Sequence, residues 1–251
     1  MRSLSRYRTI RNLKRDLITH PSAFTRGCAA LSLGQLKDSS VLEPLVQALG
    51  DTSPWVRGWS AFSLRYLQDP TCLLPLCRLL GDKDEWVRQQ TADTLMRFDS
   101  DLVDEVLKDS MRSRNSLTKS WALHVMASRG NPTSAMDIVP MLEDENRPVR
   151  LSAVRALYRL GQTSSIAPVR MFIRDPDDHL RGAAAYALGA LGDKDSVSAL
   201  CLALTDQTPW VRRNAAWSLL QLGEGLQLVA SMIRDPDAGV RTFAQEAQNR
   251  L

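Results

Sequence analysis

A chain of 251 residues, 44% hydrophobic and 24% charged, has the composition of an ordinary folded protein. It holds no apolar run long enough to span a membrane, and no apolar stretch follows its arginine-rich start, which argues against a secretory signal. The net charge of +4 is concentrated in residues 1–20, where Arg2, Arg6, Arg8, Arg11, Lys14 and Arg15 face Asp16 alone. The remainder carries 26 basic and 27 acidic residues, a balance that argues against a general nucleic-acid surface.

In chain order, residues 1–20 are expected to form a basic capping helix, with Ile10, Leu13 and Leu17 on its apolar side. A clock then starts. Arg26, Arg57, Arg88, Lys119, Arg150, Arg181 and Arg212 recur every 31 residues, and Arg241 comes two residues early. In the second unit Ser39 and Ser40 are expected to cap a helix whose apolar residues are Val41, Leu42, Leu45, Val46 and Leu49. Gly50-Asp51 ends it, and Pro54 opens a second helix at a position where its missing N–H costs nothing. No period-2 alternation suggests strands. Each unit is therefore a helical hairpin, and a fixed period of this length implies many hairpins stacked.

The third and fourth positions after the arginine are mostly alanine: Ala29-Ala30, Ala61, Ala92, Ala122, Ala153, Ala184-Ala185 and Ala215-Ala216. The seventh carries Leu33, Leu64, Leu95, Met126, Leu157, Leu188 and Leu219, and the tenth Leu36, Leu67, Phe98, Leu160, Leu191 and Leu222. These form the expected core ladder. Six before the arginine stand Asp51, Asp82, Asp144, Asp175, Asp206 and Asp235. An aspartate there can accept backbone N–H groups of the next helix, or the arginine of its own or a neighbouring repeat. Asp51/Arg57, Asp82/Arg88, Asp144/Arg150, Asp175/Arg181, Asp206/Arg212 and Asp235/Arg241 are read as a structural ladder, since function rarely needs one pair in every repeat.

This Asp-x5-Arg phase, with proline in the first helices at Pro44, Pro75 and Pro168, resembles the HEAT repeat. The alanine-rich form with LGD or DPD turns is similar to the phycobilisome-lyase-type HEAT-like class. The resemblance covers nearly the whole chain. The expected fold is all-α, a right-handed α-solenoid of about eight HEAT-like hairpins forming one domain over 1–251. Such repeats serve lyases, scaffolds and nucleic-acid enzymes alike, so the resemblance leaves function open.

Two regions break the pattern. In residues 101–130 Ser113 replaces aspartate, Lys119 replaces arginine, and Arg129 occupies the apolar tenth position beside a basic turn with Arg112 and Arg114. This degenerate repeat reads as drift, or as a bend or docking loop, and as the weak joint of the stack. At 235–251, Gln245 and Gln248 fall on core phases, which reads as a polar cap closing the chain.

Function is sought on positions that the ladder does not fix: two before the arginine, and two, five and nine after it. All six tryptophans fall there, at Trp55, Trp59, Trp86, Trp121, Trp210 and Trp217. Aromatics and arginines dominate interface hot spots. Trp59, Phe62, Tyr66, Arg97, Trp121, Arg155, Tyr186, Arg213 and Trp217 are therefore the expected contacts of a non-catalytic scaffold or adaptor. It would hold a helix or an extended segment of another protein in a concave groove. Trp55, Trp86 and Trp210, at the helix starts, are read as packing across the turn.

Cys28, Cys72, Cys77 and Cys201 show no metal-ligand spacing with His20, His124 or His179 and are expected as small buried residues, consistent with the cytoplasm. No metal, cofactor or catalytic residue is expected, and the chain has no His-Glu pair of the kind that holds iron in deoxyhypusine hydroxylases. One alternative is a phycobilin lyase or chromophore chaperone acting on a bilin-bearing protein, with Arg155, Arg159 or Arg213 meeting propionates. The other is a helical-repeat DNA-binding protein, suggested by Asp93 beside Arg97.

Overall fold

The computed structural model describes residues 2–99 and 101–251, with side chains from residue 6 onward. Met1 and the Arg2 side chain of the expected basic cap lie outside the described residues. Sixteen α-helices form, joined by short 3-10 turns, and no strand occurs among the described residues. They fall into two compact units, Met1–Arg129 and Gly130–Leu251.

The first unit holds four hairpins: α1 (Arg2–Thr19) with α2 (Ala23–Gln35), α3 (Leu42–Ala48) with α4 (Pro54–Leu64), α5 (Leu73–Leu79) with α6 (Glu85–Met96), and α7 (Leu102–Ser110) with α8 (Ser116–Arg129). The second unit holds another four: α9 (Ser134–Ile138) with α10 (Arg147–Leu160), α11 (Ile166–Arg170) with α12 (Asp178–Ala190), α13 (Val197–Ala203) with α14 (Pro209–Leu222), and α15 (Leu226–Ser231) with α16 (Ala238–Arg250). Within each unit, successive second helices pack side by side.

Local chemistry sets these boundaries. Pro54 and Pro209 stand in the first turns of α4 and α14, where no N–H is needed. Gly161 and Gly223 end α10 and α14 in the left-handed conformation, which a side chain would strain. The start of the second hairpin differs from expectation. Asp38, rather than Ser39 or Ser40, supplies the capping carboxylate, accepting from Ser40 N–H, and Ser39–Val41 form a 3-10 turn before α3.

The core is built from small and medium residues. Ala30, Ala61, Ala122, Ala153, Ala184, Ala215 and the seventh-position residues from Leu33 to Leu219 are fully buried. Alanine lets neighbouring second helices approach closely, and the longer side chains fill the space below. The tenth position is not core throughout: Phe98 is buried, while Leu36, Leu67, Leu160, Leu191 and Leu222 are half-buried at the rim. At the C-terminal end Gln245 and Gln248 face solvent, and Ala244 and Ala247 fill the buried phase of α16.

The fourth hairpin replaces lost ladder contacts with an internal ion pair. Arg129 Nε meets the buried Asp104 at 2.8 Å, and its Nη1 donates to the Leu95 and Phe98 carbonyls at the end of α6. A cation thus occupies the tenth position because a carboxylate and two helix-end carbonyls surround it.

Candidate functional site

The aspartates and arginines form a two-sided joint. Asp51, Asp82, Asp144, Asp175, Asp206 and Asp235 each accept the backbone N–H two residues ahead at 2.8 Å, fixing the turn into the second helix. Arg26, Arg57, Arg88, Arg150, Arg181, Arg212 and Arg241 each donate Nη1 to the carbonyl six residues back, at 2.7–3.0 Å. Four arginines then grip the next repeat's aspartate through Nε and Nη2 at 2.6–3.0 Å: Arg26–Asp51, Arg57–Asp82, Arg181–Asp206 and Arg212–Asp235. Hydrogen bonds from these arginines hold Asp206 and Asp235 below the usual carboxylate range. Burial pushes Asp51 and Asp82 up, but the arginine and backbone donors outweigh it and leave both depressed. Two rungs are open. Ser113 holds the aspartate's phase 25 residues after Arg88, and among the described residues no ion pair joins Arg150 to Asp175.

On the first unit the second helices carry a continuous row of rings. Phe24 on α2 stacks on Trp55 on α4 at 6.4 Å between centroids, and Trp55 stacks on Trp86 on α6 at 5.6 Å. Trp59 meets Trp55 and Trp86 edge-on at 5.5 and 5.9 Å, then Phe62 at 5.2 Å, and Phe62 meets Tyr66 at 6.0 Å. The Arg65 guanidinium lies 3.5 Å from the Phe62 centroid and donates to Tyr66 Oη at 2.9 Å. The row is open to solvent on one side, since Phe24 is 66% and Trp55 39% exposed. Arg97 is exposed at the end of α6. Trp121 on α8 is half-buried against His124 at 5.5 Å, with the Arg88 guanidinium 5.8 Å from its ring.

The second unit carries a shorter row. Tyr186 on α12 lies 4.3 Å from Trp217 on α14, nearly parallel, and 5.1 Å edge-on from Tyr158 on α10. Beside it Arg155, Tyr158, Ala183, Tyr186 and Trp210 line a cavity of about 220 Å³. Arg155 is exposed. Arg213 is held by Asp237, whose two carboxylate oxygens accept from its Nε and Nη2 at 3.2 and 2.6 Å.

Models of HEAT repeats match residues 3–64, 42–127, 105–189 and 166–248. The chain is a HEAT-repeat protein. Solved HEAT-like folds resemble it over almost its full length. The Escherichia coli protein YibA is 18% identical, covering 96% of this chain and 92% of that one, with a TM-score of 0.59. Kap95p, solved with RanGDP, is 16% identical over 95% of this chain and 39% of its own, with a TM-score of 0.68. The CpcE–CpcF complex of phycocyanin lyase from Nostoc is 18% identical over 96% and 94%, with a TM-score of 0.42. At these identities the likeness is one of fold. No curated protein matches the sequence.

The HEAT hairpins separate the aromatics into two roles. A Cβ on Gly58 would lie 2.1 Å from the Trp86 ring; on Gly27, 2.5 Å from Trp55; and on Gly182, 2.3 Å from Trp210. Each of these helix-start tryptophans thus packs against a glycine one residue after the preceding repeat's arginine. In the last pair the sizes are exchanged, with Arg213 lying over Gly239. Trp59, Phe62 and Tyr66 are brought together, as are Tyr186 and Trp217. Arg213 is paired with Asp237 and stays partly exposed.

Phe24, Tyr158 and Arg65 belong to the faces although sequence reasoning passed them over. Phe24 shares the phase of Trp55, and that signal was available. Tyr158 and Arg65 stand eight after their arginines, off the chosen phases. Cys28 is exposed on α2, against expectation, because its position is the second after the arginine and faces outward like that of Trp59. Burial pushes the thiols of Cys72 and Cys77 up to about 12, so both stay protonated and inert. Asp177, Asp178 and His179 converge at the start of α12, where Asp177 caps the helix and pairs with Arg147, and Asp178 holds His179 Nδ1 at 2.7 Å. No described helix is long and apolar enough to cross a membrane.

Proposed function

We propose that this HEAT-repeat protein is a non-catalytic scaffold that holds a helix or an extended segment of another protein against the aromatic faces of its second helices. The observation carrying this reading is the row from Phe24 through Trp55 and Trp59 to Tyr66. Its rings are fixed by mutual stacking, yet one side stays open to solvent. Rigid rings offer large apolar area at little entropic cost, the property of interface anchors. Arg97 and Arg155 at the margins of the two faces supply the polar rim. A pigment-handling role would draw on the cavity beside Arg155, but about 220 Å³ is smaller than the roughly 300–1,000 Å³ of typical small-molecule sites.

Site-specific photo-crosslinking tests the scaffold reading. A benzophenone side chain placed at Trp59 or Tyr186 is expected to yield discrete protein adducts in the source cells. The same group at Leu74 or Leu202, exposed on first helices, should not. Adducts of equal yield at all four positions would remove the case for the aromatic faces.

A further inference from the structure

At Arg88 the ladder continues without its carboxylate. Nη1 is anchored as in the other repeats, donating to the Asp82 carbonyl at 2.7 Å, and the guanidinium lies 5.8 Å from the ring of Trp121 on the fourth hairpin, which leaves the Nε–Nη2 edge to be satisfied. In four other repeats that edge grips an aspartate. Here Ser113 stands in its place and performs only half the task, its Oγ accepting the Asn115 N–H at 3.1 Å. Arg88 Nε is buried and has no hydrogen-bond partner among the described residues.

The surroundings favour an anion. Ser113 lines a cavity of about 350 Å³ together with Arg78, Asp109, Asn115 and Thr118, next to the turn that follows Arg88 in the ladder. Arg114 is exposed on the same turn, and Arg112 engages the nearby Asp109 at 3.0 Å. A buried cationic donor left unpaired is costly, and a carboxylate matches the two parallel N–H groups of a guanidinium edge. The neighbouring Arg57–Asp82 rung shows how this scaffold receives that group, at 2.6 and 2.8 Å.

We infer that the fourth turn is a carboxylate-binding site, in which the Nε–Nη2 edge of Arg88 takes a carboxylate from outside the chain and Arg78 and Arg114 attract it. The carboxylate is that of a small free acid or of a partner's aspartate or glutamate side chain. This inference does not rest on the aromatic faces.

The test follows the Arg88 Nε–H resonance of the full-length protein by NMR, assigned through its loss in Arg88→Lys. Acetate replaces chloride at constant ionic strength, and acetyl-Gly-Glu-Gly-amide is titrated separately. In the wild type the resonance should shift downfield and saturate. In Ser113→Asp, which supplies the carboxylate internally, it should start downfield and ignore both probes. A shift with acetate alone points to a free acid, and a shift with both probes to a partner's side chain. No shift with either probe, or equal shifts in wild type and Ser113→Asp, would overturn the assignment.

Discussion

The buried rung between Arg57 and Asp82 offers a sharp test of the ladder. The two side chains are only 8% and 7% exposed, and the carboxylate accepts from Arg57 Nε, Arg57 Nη2 and the Asp84 N–H. Asp82→Ala strands two guanidinium donors in the interior and uncaps the turn into α6. Removing one partner of a buried pair costs about 3–5 kcal/mol, and loss of a capping acceptor adds about 1 kcal/mol. Replacing both partners, as Arg57→Met with Asp82→Leu, should recover most of the loss, because no charge is then left unpaired. Glu246→Ala at the exposed Arg250–Glu246 pair should cost under about 1 kcal/mol. Hydrogen exchange of the α4 and α6 amides gives the opening free energy of this rung without assuming that the whole chain unfolds at once. A cost below about 1 kcal/mol for Asp82→Ala, against the roughly 3–5 kcal/mol expected of a stranded buried charge, would show that the joint is held by apolar packing alone.

The depressed carboxylates set a pH dependence. Asp51, Asp82, Asp206 and Asp235 lie below the unfolded value of about 3.9, so the unfolded chain binds their protons first and the stabilisation is complete above that pH. It should be lost as pH falls through the lower folded-state values; a melting temperature that holds level from pH 6 to pH 2 would contradict the sign. Gly58→Ala provides the second test. Helix propensity alone favours alanine by about 1 kcal/mol, whereas a Cβ 2.1 Å from the Trp86 ring predicts destabilisation of about 1–3 kcal/mol. Trp86→Ala in the same chain should remove that penalty, and additive effects of the two changes in urea unfolding would show that the glycine is not a seat for the ring.

The 31-residue spacing made the fold legible because each second helix repeats one packing problem. A buried small pair needs alanine, a knob needs leucine, and a turn needs aspartate. What the pattern left open was whether each aspartate meets the arginine of its own repeat or that of a neighbour. Aspartate and arginine six apart in sequence look like partners, yet the ion pairs reach 25 residues ahead, from Arg26 to Asp51 and from Arg57 to Asp82. Own-turn contact is made to the carbonyl instead. Arg129 likewise looked like an intrusion into the core because its partner Asp104 belongs to no repeating phase. Exposure was harder still. Period places Arg97 on an outward phase, whereas Arg213 stands one after its arginine, where some other repeats carry glycine, and only coordinates reveal that Asp237 engages it.

The glycine seats explain how the aromatic faces can hold a partner while also holding the stack. Trp55 lies with one side over Gly27 and Trp86 over Gly58, so each ring is pinned before anything binds. Trp59 wedges edge-on against both rings and passes that order to Phe62 and Tyr66. A partner docking on this row would meet rings whose rotamers are already fixed by repeat packing. Much of the ordering cost of association would then fall in folding rather than in binding. The same coupling means that neither Trp55→Ala nor Trp59→Ala isolates partner contact. Trp55 is 39% exposed yet lies against Gly27, and Trp59 is half-buried between Trp55, Trp86 and Phe62, so each loss should lower stability along with binding, and binding is compared at equal folded fraction.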